Sequence, residues 1–391
     1  MKTTGDQHLV KKINTSLVLE TINRHAPLSR AKVAEMTKLN KGTVSNLVNE
    51  LIENHLVYEI GTGESSGGRR PVMLLFNKEA GYAIGVDLGV DYILTVLTNL
   101  HGEIVQESLE ALASKSFPAA MKQLKAAIEA MMRQAPPSPH GIVGIGIGVP
   151  GIVDEEGTVL FAPHLKWSDA NVKKELEVHF PYPVYVDNEA NAGAIGEKKA
   201  GVGKDAANLV YISVGTGIGT GTIINGALFR GASGFSGEMG HMTIEAFGKP
   251  CTCGNRGCWE LYASESALLE LAEERLAVPE DANLDALLRK AEQGGAAAIE
   301  LFEHIGTYLG IGIANIVNTF NPELIIVGNR MTKAERWLRP AIQNALDERA
   351  LPFHRRHAAL DFSRLGVRSC ALGAADFAVA GFLAGIKVVV Q

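Results

Sequence analysis

Three cysteines and a histidine, His241, Cys251, Cys253 and Cys258, fall within 18 residues among loop-forming Gly, Pro and Asn. Zn²⁺ prefers four soft-to-borderline ligands in a tetrahedron, and three cysteines with one histidine is a standard structural set. Gly254 and Gly257 let the backbone turn tightly between Cys253 and Cys258. The competing readings are buried free thiols or, in a secreted protein, disulfides. Residues 1–30 carry no apolar secretory core, and three of the chain's four cysteines lie in this stretch, which favours a structural zinc ion. Glu238 and Glu260 flank the quartet, so the metal would hold two carboxylates close together, an arrangement suited to a polyol.

The elements around this stretch alternate. Tyr82–Leu88 reads as a strand ending in Asp87-Leu88-Gly89, followed by strands at Tyr92–Asn99 and Glu103–Ser108, a helix near Ala119–Gln134 and a buried strand at Gly144–Val149. Pro150-Gly151 breaks that strand and sends the chain across a cleft. Val184–Val186 leads directly into Asp187-Asn188-Glu189-Ala190-Asn191 and a helix. A second sheet starts at Leu209–Val214 and runs into Gly215-Thr216-Gly217-Ile218-Gly219-Thr220-Gly221, whose exposed N–H groups could cradle a phosphate or serve a purely structural hairpin. Such alternation predicts open α/β sheets with a ligand cleft at the strand ends. Apolar helical stretches near Ala297–Asn318 and Leu372–Ile386 fit either core packing or a lobe or dimer contact. Trp167 could stack on the apolar face of a ring-shaped ligand or be a buried structural residue.

With 391 residues, 46% of them apolar, the chain has room for two or three domains, and no apolar run reaches the length of a bilayer span. Low cysteine usage fits a reducing compartment, so a soluble cytoplasmic protein with no membrane partner is expected. The net charge of −6 is uneven: residues 1–78 hold 11 Lys and Arg against 7 Asp and Glu. A basic N-terminal segment on an acidic body points to a nucleic-acid partner for that segment alone.

That segment has the pattern of a winged helix. Leu9, Ile13 and Leu17, extended by Val18 and Ile22, recur at helical spacing over His8–Arg24. Ser29 would cap a helix at Arg30–Thr37, and a short turn leads to a third helix near Gly42–Asn54. Lys41, Thr43, Ser45, Asn46 and Asn49 would face outward from it, towards base edges and phosphates in a major groove. Two strands, Leu56–Ile60 and Pro71–Phe76, bracket a Gly/Ser loop, with Arg69 and Arg70 at its return. Lys38 stands at the tight turn, where a left-handed backbone would strain a non-glycine residue.

Together these segments resemble the ROK family of sugar kinases and repressors, over residues 80–391, with the winged helix arranged as in the family's repressors. The resemblance is carried by Ser66-Gly67-Gly68-Arg69-Arg70-Pro71, by Gly85-Val86-Asp87-Leu88-Gly89-Val90-Asp91-Tyr92 and by Glu189-Ala190-Asn191-Ala192-Gly193-Ala194. Gly231-x-Ser233-Gly234-Phe235-Ser236-Gly237-Glu238-Met239-Gly240-His241 and Cys258-Trp259-Glu260-Leu261-Tyr262 extend it. It implies an α/β chain with the two-lobed actin-like ATPase fold behind a winged helix-turn-helix. The implied domains are 1–78, 79–198 (joined by a C-terminal helix, 372–391) and 199–371. It implies zinc on His241, Cys251, Cys253 and Cys258, and a monosaccharide on Asn188, Glu189, Glu238, His241, Glu260 and Gly151.

Where the family's kinases read Asp-x-Gly-Gly-Thr, this chain reads Asp87-Leu88-Gly89-Val90-Asp91, placing a carboxylate where phosphates would lie. Glu189 stands in place of the catalytic aspartate, one methylene longer, and such a displacement can cost on the order of 10²-fold in rate. The expectation is therefore a repressor with no nucleotide bound and no catalysis. It would bind a palindromic operator as a homodimer or tetramer and be released by a monosaccharide, D-xylose first. The alternatives are an ATP-dependent sugar kinase, or a repressor answering to glucose or N-acetylglucosamine.

Overall fold

The computed structural model describes residues 7–62, 71–276 and 283–385. The chain begins with α1 (Gln7–His25), β1 (Leu28–Ser29), α2 (Arg30–Thr37), α3 (Lys41–Glu53), β2 (Val57–Thr62) and β3 (Val72–Phe76). Local chemistry sets the helix ends. The Ser29 hydroxyl accepts from the Lys32 N–H at 3.2 Å, and the Asn40 side chain accepts from the Thr43 N–H at 2.7 Å, satisfying donors that each first turn leaves unpaired. Lys38 ends α2 in the left-handed region, φ 60° and ψ 17°, as its place in the tight turn requires. β2 and β3 pair antiparallel, with β1 added to the other edge of β3. The loop carrying Arg69 and Arg70 lies outside the described residues.

The apolar face of α1 differs from the expected stripe. Val18, Leu19 and Ile22 are buried with Thr15, whereas Leu9, Ile13 and Leu17 are 54%, 56% and 39% exposed. The helix carries apolar residues on more than one side, and docking on α2, α3 and β3 selects the face near its C-terminal end. Periodicity alone does not choose between two apolar faces.

The first lobe holds β4 (Tyr82–Leu88), β5 (Tyr92–Asn99), β6 (Ile104–Ala111), α4 (Phe117–Met132), β7 (Ile142–Val149) and the small strands β8 (Ile152–Val153), β9 (Val159–Ala162) and β10 (Trp167–Ala170). α5 (Val172–Glu177), β11 (Val184–Asn188) and α6 (Glu189–Ala200) follow. Its main sheet has the order β11-β7-β4-β5-β6, and β8–β10 form a separate three-stranded sheet. Every residue of β4 and β7 is buried, as expected of central strands covered on both faces.

The second lobe begins with β12 (Leu209–Val214), β13 (Ile218–Ile224) and β14 (Ala227–Leu228). It continues through α7 (Glu260–Ala263), α8 (Glu265–Leu276), α9 (Leu284–Glu292), α10 (Ala296–Phe320), β15 (Leu324–Gly328), α11 (Glu335–Arg349), α12 (Pro352–Arg355) and β16 (Ala359–Phe362). The sheet order is β14-β13-β12-β15-β16. α10 packs on α11, where a Cβ at Gly310 would lie 2.5 Å from that of Ala345. The glycines of this helix therefore serve core packing within the lobe. Among the described residues no helix is long and apolar enough to cross a membrane.

The last helix, α13 (Arg368–Gly385), returns to the first lobe and joins three parts of the molecule. It meets α6 backbone to backbone: a Cβ at Gly373 would lie 1.7 Å from the Ala192 carbonyl oxygen, and one at Gly196 2.0 Å from that of Ser369. Further along, Val379, Phe382 and Leu383 enter the same apolar core as Val18, Ile22, Leu74 and Phe76 of the winged helix. His140 packs its ring on Phe382 at 5.0 Å and bonds the Asn54 carbonyl at 2.8 Å, while His101 stacks on Phe76 at 5.1 Å. One continuous core thus runs from α13 into the N-terminal domain.

Candidate functional site

β11 ends at Asn188, and α6 begins at Glu189, so the strand-to-helix junction delivers both side chains to the mouth between the lobes. The Asn188 side-chain oxygen caps α6, accepting from the N–H groups of Ala190 (2.8 Å) and Asn191 (3.2 Å). Its amide nitrogen donates to the Gly151 carbonyl at 2.9 Å. One N–H of Asn188 is left for a ligand. Gly151 has φ 101°, and a Cβ there would lie 2.2 Å from the Phe161 carbonyl, so only glycine fits this corner.

These residues line a cleft of about 290 Å³ together with Glu238, His241 and Glu260. That volume is at the small end for ligand pockets, about 300–1,000 Å³. Burial, reinforced by Asp87 and Glu238, pushes the Glu189 carboxyl up to about 8, so it holds its proton at neutral pH. Burial raises Asp87 to about 6 against hydrogen bonds from Tyr92 and Cys370. Glu238 is raised as well, chiefly by burial. Dry surroundings would also lift Glu260, but His164 and His241 outweigh them and hold it below the ordinary carboxylate range. The cleft thus offers protonated and ionised carboxyls side by side, donors and acceptors for a ligand rich in hydroxyls.

At the inner wall His241 turns Nδ1 towards the cysteines, 3.7 Å from the Cys251 Sγ, and Nε2 towards Glu238 at 3.9 Å. The ligand atoms of His241, Cys251, Cys253 and Cys258 all lie within 4.8 Å of one another. The Cys253 and Cys258 sulfurs are 3.7 Å apart, which matches the edge, about 3.8 Å, of a tetrahedron with metal–sulfur bonds of about 2.3 Å. Burial and the neighbouring sulfurs push the Cys258 thiol up to about 12, and Cys251 is raised mainly by burial. Sulfurs so placed ionise together only beside a cation, and the quartet can hold one metal ion. The Cys251 N–H bonds the Asn255 carbonyl at 2.8 Å, and the Asn255 amide bonds the His241 carbonyl at 3.1 Å, so loop backbone keeps the four together.

Several contacts here were not foreseen from sequence. His164, in the turn between β9 and β10, places Nε2 3.9 Å from the Glu260 Oε2. Asp91 is paired with Arg330 at 3.1 Å across the cleft, and Arg330 also reaches Glu265 at 3.1 Å. The Asp91 carboxylate therefore closes one rim of the cleft as half of an ion pair. The Tyr92 hydroxyl donates to Asp87 at 2.7 Å, and its ring covers the strand end at Gly89. Gly221 faces the Ala190 carbonyl, 2.3 Å from where a Cβ would lie, a close-packing role rather than a phosphate one. Trp167 does not line the cleft: it is 4% exposed, donates to the Lys115 carbonyl at 2.7 Å and packs edge-on against Phe117.

On the winged helix, Lys41, Asn46 and Asn49 are exposed and Thr43 and Ser45 half-buried, along one side of α3 opposite buried Val44, Leu47, Val48 and Leu51. Asn49 accepts from Arg30 at 2.9 Å, and Arg30 also pairs with Glu59, so a further arginine stands beside this face.

An N-terminal domain of three helices and a three-stranded sheet docked on two α/β lobes, with a carboxylate-rich cleft beside a His-Cys₃ quartet, defines the class: the chain belongs to the ROK family, whose sequence profile matches residues 83–380. The similarity narrows further among known proteins. The chain is 45% identical over 384 residues to the xylose repressor of Bacillus spizizenii, spanning 98% of this chain and 99% of that protein. A ROK family transcriptional regulator described as a homologue of the Escherichia coli MLC protein matches with a TM-score of 0.83 at 29% identity, over 97% of this chain and 99% of that one. A ROK family glucokinase from Streptomyces griseus, solved with glucose and AMPPNP, matches with a TM-score of 0.70 at 30% identity, over 76% of this chain and 99% of its own.

Proposed function

We propose that this protein is a sugar-responsive transcriptional repressor, released from operator DNA by D-xylose. The observation that carries the reading is the continuity between cleft and winged helix. Asn188 and Glu189 open α6, α6 is locked to α13 at Gly373, and α13 ends in the winged-helix core through Phe382. A sugar that moves the lobes relative to each other would move α13 and, with it, the recognition helix α3. This requires the sugar to bind the DNA-incompetent arrangement more tightly, since binding energy alone shifts no equilibrium. The xylose repressor similarity over nearly the full length favours D-xylose as inducer.

In this reading α3 enters the major groove with Lys41, Thr43, Ser45, Asn46 and Asn49 towards bases and phosphates, and Arg69 and Arg70 contact the backbone or minor groove. A homodimer on a palindromic operator would place two such helices in successive grooves. Asn188, Glu189, Glu238, His241 and Glu260 hold the sugar, with Gly151 at the cleft corner. Zn²⁺ on His241, Cys251, Cys253 and Cys258 acts as a structural pin that fixes the His241 ring and leaves its Nε2 free for a hydroxyl. Catalysis is absent in this proposal: Glu189 stands in place of the family's catalytic aspartate, one methylene longer, which displaces the carboxyl, and the Asp91–Arg330 pair closes one rim of the cleft.

The test is calorimetric titration of the full-length, zinc-loaded protein with D-xylose, D-glucose, N-acetylglucosamine and ATP, with ADP followed in parallel. Binding of D-xylose without ADP formation supports the reading. Sugar-dependent ADP production would make the protein a kinase, and preference for another sugar would reassign the inducer.

A further inference from the structure

We propose that His164 is a sugar-contacting residue supplied from the side of the cleft opposite Glu260, and that His164 and Glu260 together grip one hydroxyl of the inducer. The inference rests on the sugar-binding reading above and deepens it.

His164 sits in the turn between β9 and β10, far in sequence from the zinc loop. The turn is anchored on both sides. Leu165 is 1% exposed, and Trp167 is buried with its indole N–H donating to the Lys115 carbonyl. Lys115 in turn reaches the His164 carbonyl at 3.5 Å. The imidazole of His164 itself projects into the cleft, with a side chain 35% exposed. The role not assigned to Trp167 on the sugar thus becomes a supporting one: it holds the turn that presents His164.

The gap between the two groups has the right size for one oxygen. Nε2 of His164 and Oε2 of Glu260 are 3.9 Å apart, longer than a hydrogen bond, about 2.7–3.2 Å. A hydroxyl oxygen about 2.8 Å from each atom completes a triangle with them. That hydroxyl can donate to the carboxylate and accept from an imidazole N–H, satisfying all three groups. Gly217 closes the floor of this gap. A Cβ there would lie 2.7 Å from the Glu260 Oε2 and 3.0 Å from the His164 Nε2, so any side chain would push the pair apart.

The consequence is lobe closure that depends on the ligand. Glu238, His241 and Glu260 belong to the second lobe, whereas His164 belongs to the first. The two sides of this contact stand 3.9 Å apart, just beyond bonding distance. A hydroxyl between them converts this one near-contact into two hydrogen bonds across the cleft. His164 is therefore a binding residue and also a sensor of occupancy.

The experiment compares wild type with His164→Ala, His164→Leu and His164→Gln, all full-length and zinc-loaded, by calorimetric titration with D-xylose, D-glucose and N-acetylglucosamine. Loss of the imidazole N–H bond to the neutral sugar hydroxyl is expected to weaken binding of the inducing sugar about 2- to 10-fold in His164→Ala and His164→Leu. His164→Gln keeps an N–H donor at similar reach and should recover part of that loss. Zinc content, melting temperature without sugar and operator affinity without sugar should stay at wild-type values, which separates contact from scaffolding. Wild-type sugar affinity in His164→Ala, with wild type itself binding the sugar, overturns this inference and leaves the repressor reading standing. Equal loss in the Gln and Leu variants with a lowered melting temperature also overturns it, assigning His164 to the scaffold. Failure of wild type to bind any of the three sugars overturns both.

Discussion

Replacing Gly373 by Ala tests the joint between cleft and winged helix with a single methyl group. The new Cβ would lie 1.7 Å from the Ala192 carbonyl oxygen, 2.6 Å from its carbon and 2.7 Å from the Gly196 nitrogen. All three are backbone atoms of α6, so no flexible side chain can swing aside. Ordinary contact requires separations of about 3.4 Å, so α6 and α13 must part by more than an ångström. Overpacking of this kind costs about 1–3 kcal/mol, and backbone against backbone belongs at the upper end. For domains of this size each kcal/mol moves the melting temperature by about 2–4 °C, giving a fall of about 6–12 °C. Gly385→Ala in the same helix is the control. Nothing lies within 4 Å of its Cβ position, so the helical preference of alanine should leave stability unchanged or slightly improved. Differential scanning calorimetry of both variants reads the difference. A Gly373→Ala melting temperature within about 2 °C of wild type would refute the claim that these helices are locked in contact.

Glu189→Gln should alter the pH dependence of stability. The folded carboxyl holds its proton to about pH 8, whereas the unfolded one releases it near the ordinary carboxylate value, so wild-type stability falls as pH rises through that window, by up to about 1.4 kcal/mol per unit. The variant carries no such penalty, and its melting temperature should overtake wild type as pH rises from 5 to 8. Parallel pH curves would contradict the burial argument. Arg330→Ala should destabilise more than Asp91→Ala, because it strips the buried Glu265 (7% side-chain exposure) of its cation while Asp91→Ala leaves that pair intact. Equal or reversed effects by thermal melts would count against the arrangement. Elemental analysis should find one zinc per chain, lost in Cys258→Ser together with a lowered melting temperature, and a metal-free wild type of full stability would remove the structural ion.

What could be read from sequence was local. The cap at Ser29 and the left-handed Lys38 follow from a few neighbouring residues, and the His-Cys₃ quartet that can hold a metal ion is legible because its members fall within 18 positions. The alternation of strands and helices likewise gave the two sheets. Contacts between distant segments were not legible. Asp91 and Arg330 are 239 residues apart, and nothing near either one names its partner. His164 carries only a faint signal, a histidine after proline in a turn that follows the Pro150-Gly151 break. Exposure of Leu9 and Ile13 was missed because tertiary docking chooses among the apolar faces of α1. The glycines at 219 and 221 fit a phosphate cradle or a structural hairpin equally well in sequence, since a repeat of glycine reads the same whether it makes room for a ligand or for a helix, and here they pack on α6.

The central claim is tested most directly by fluorescence anisotropy of the zinc-loaded, full-length protein on a DNA duplex selected from a random library for binding to it. D-xylose would be titrated into the complex. The selected site should be palindromic, and D-xylose should dissociate the complex while leaving the protein folded. A complex whose affinity is unchanged at saturating D-xylose would contradict it.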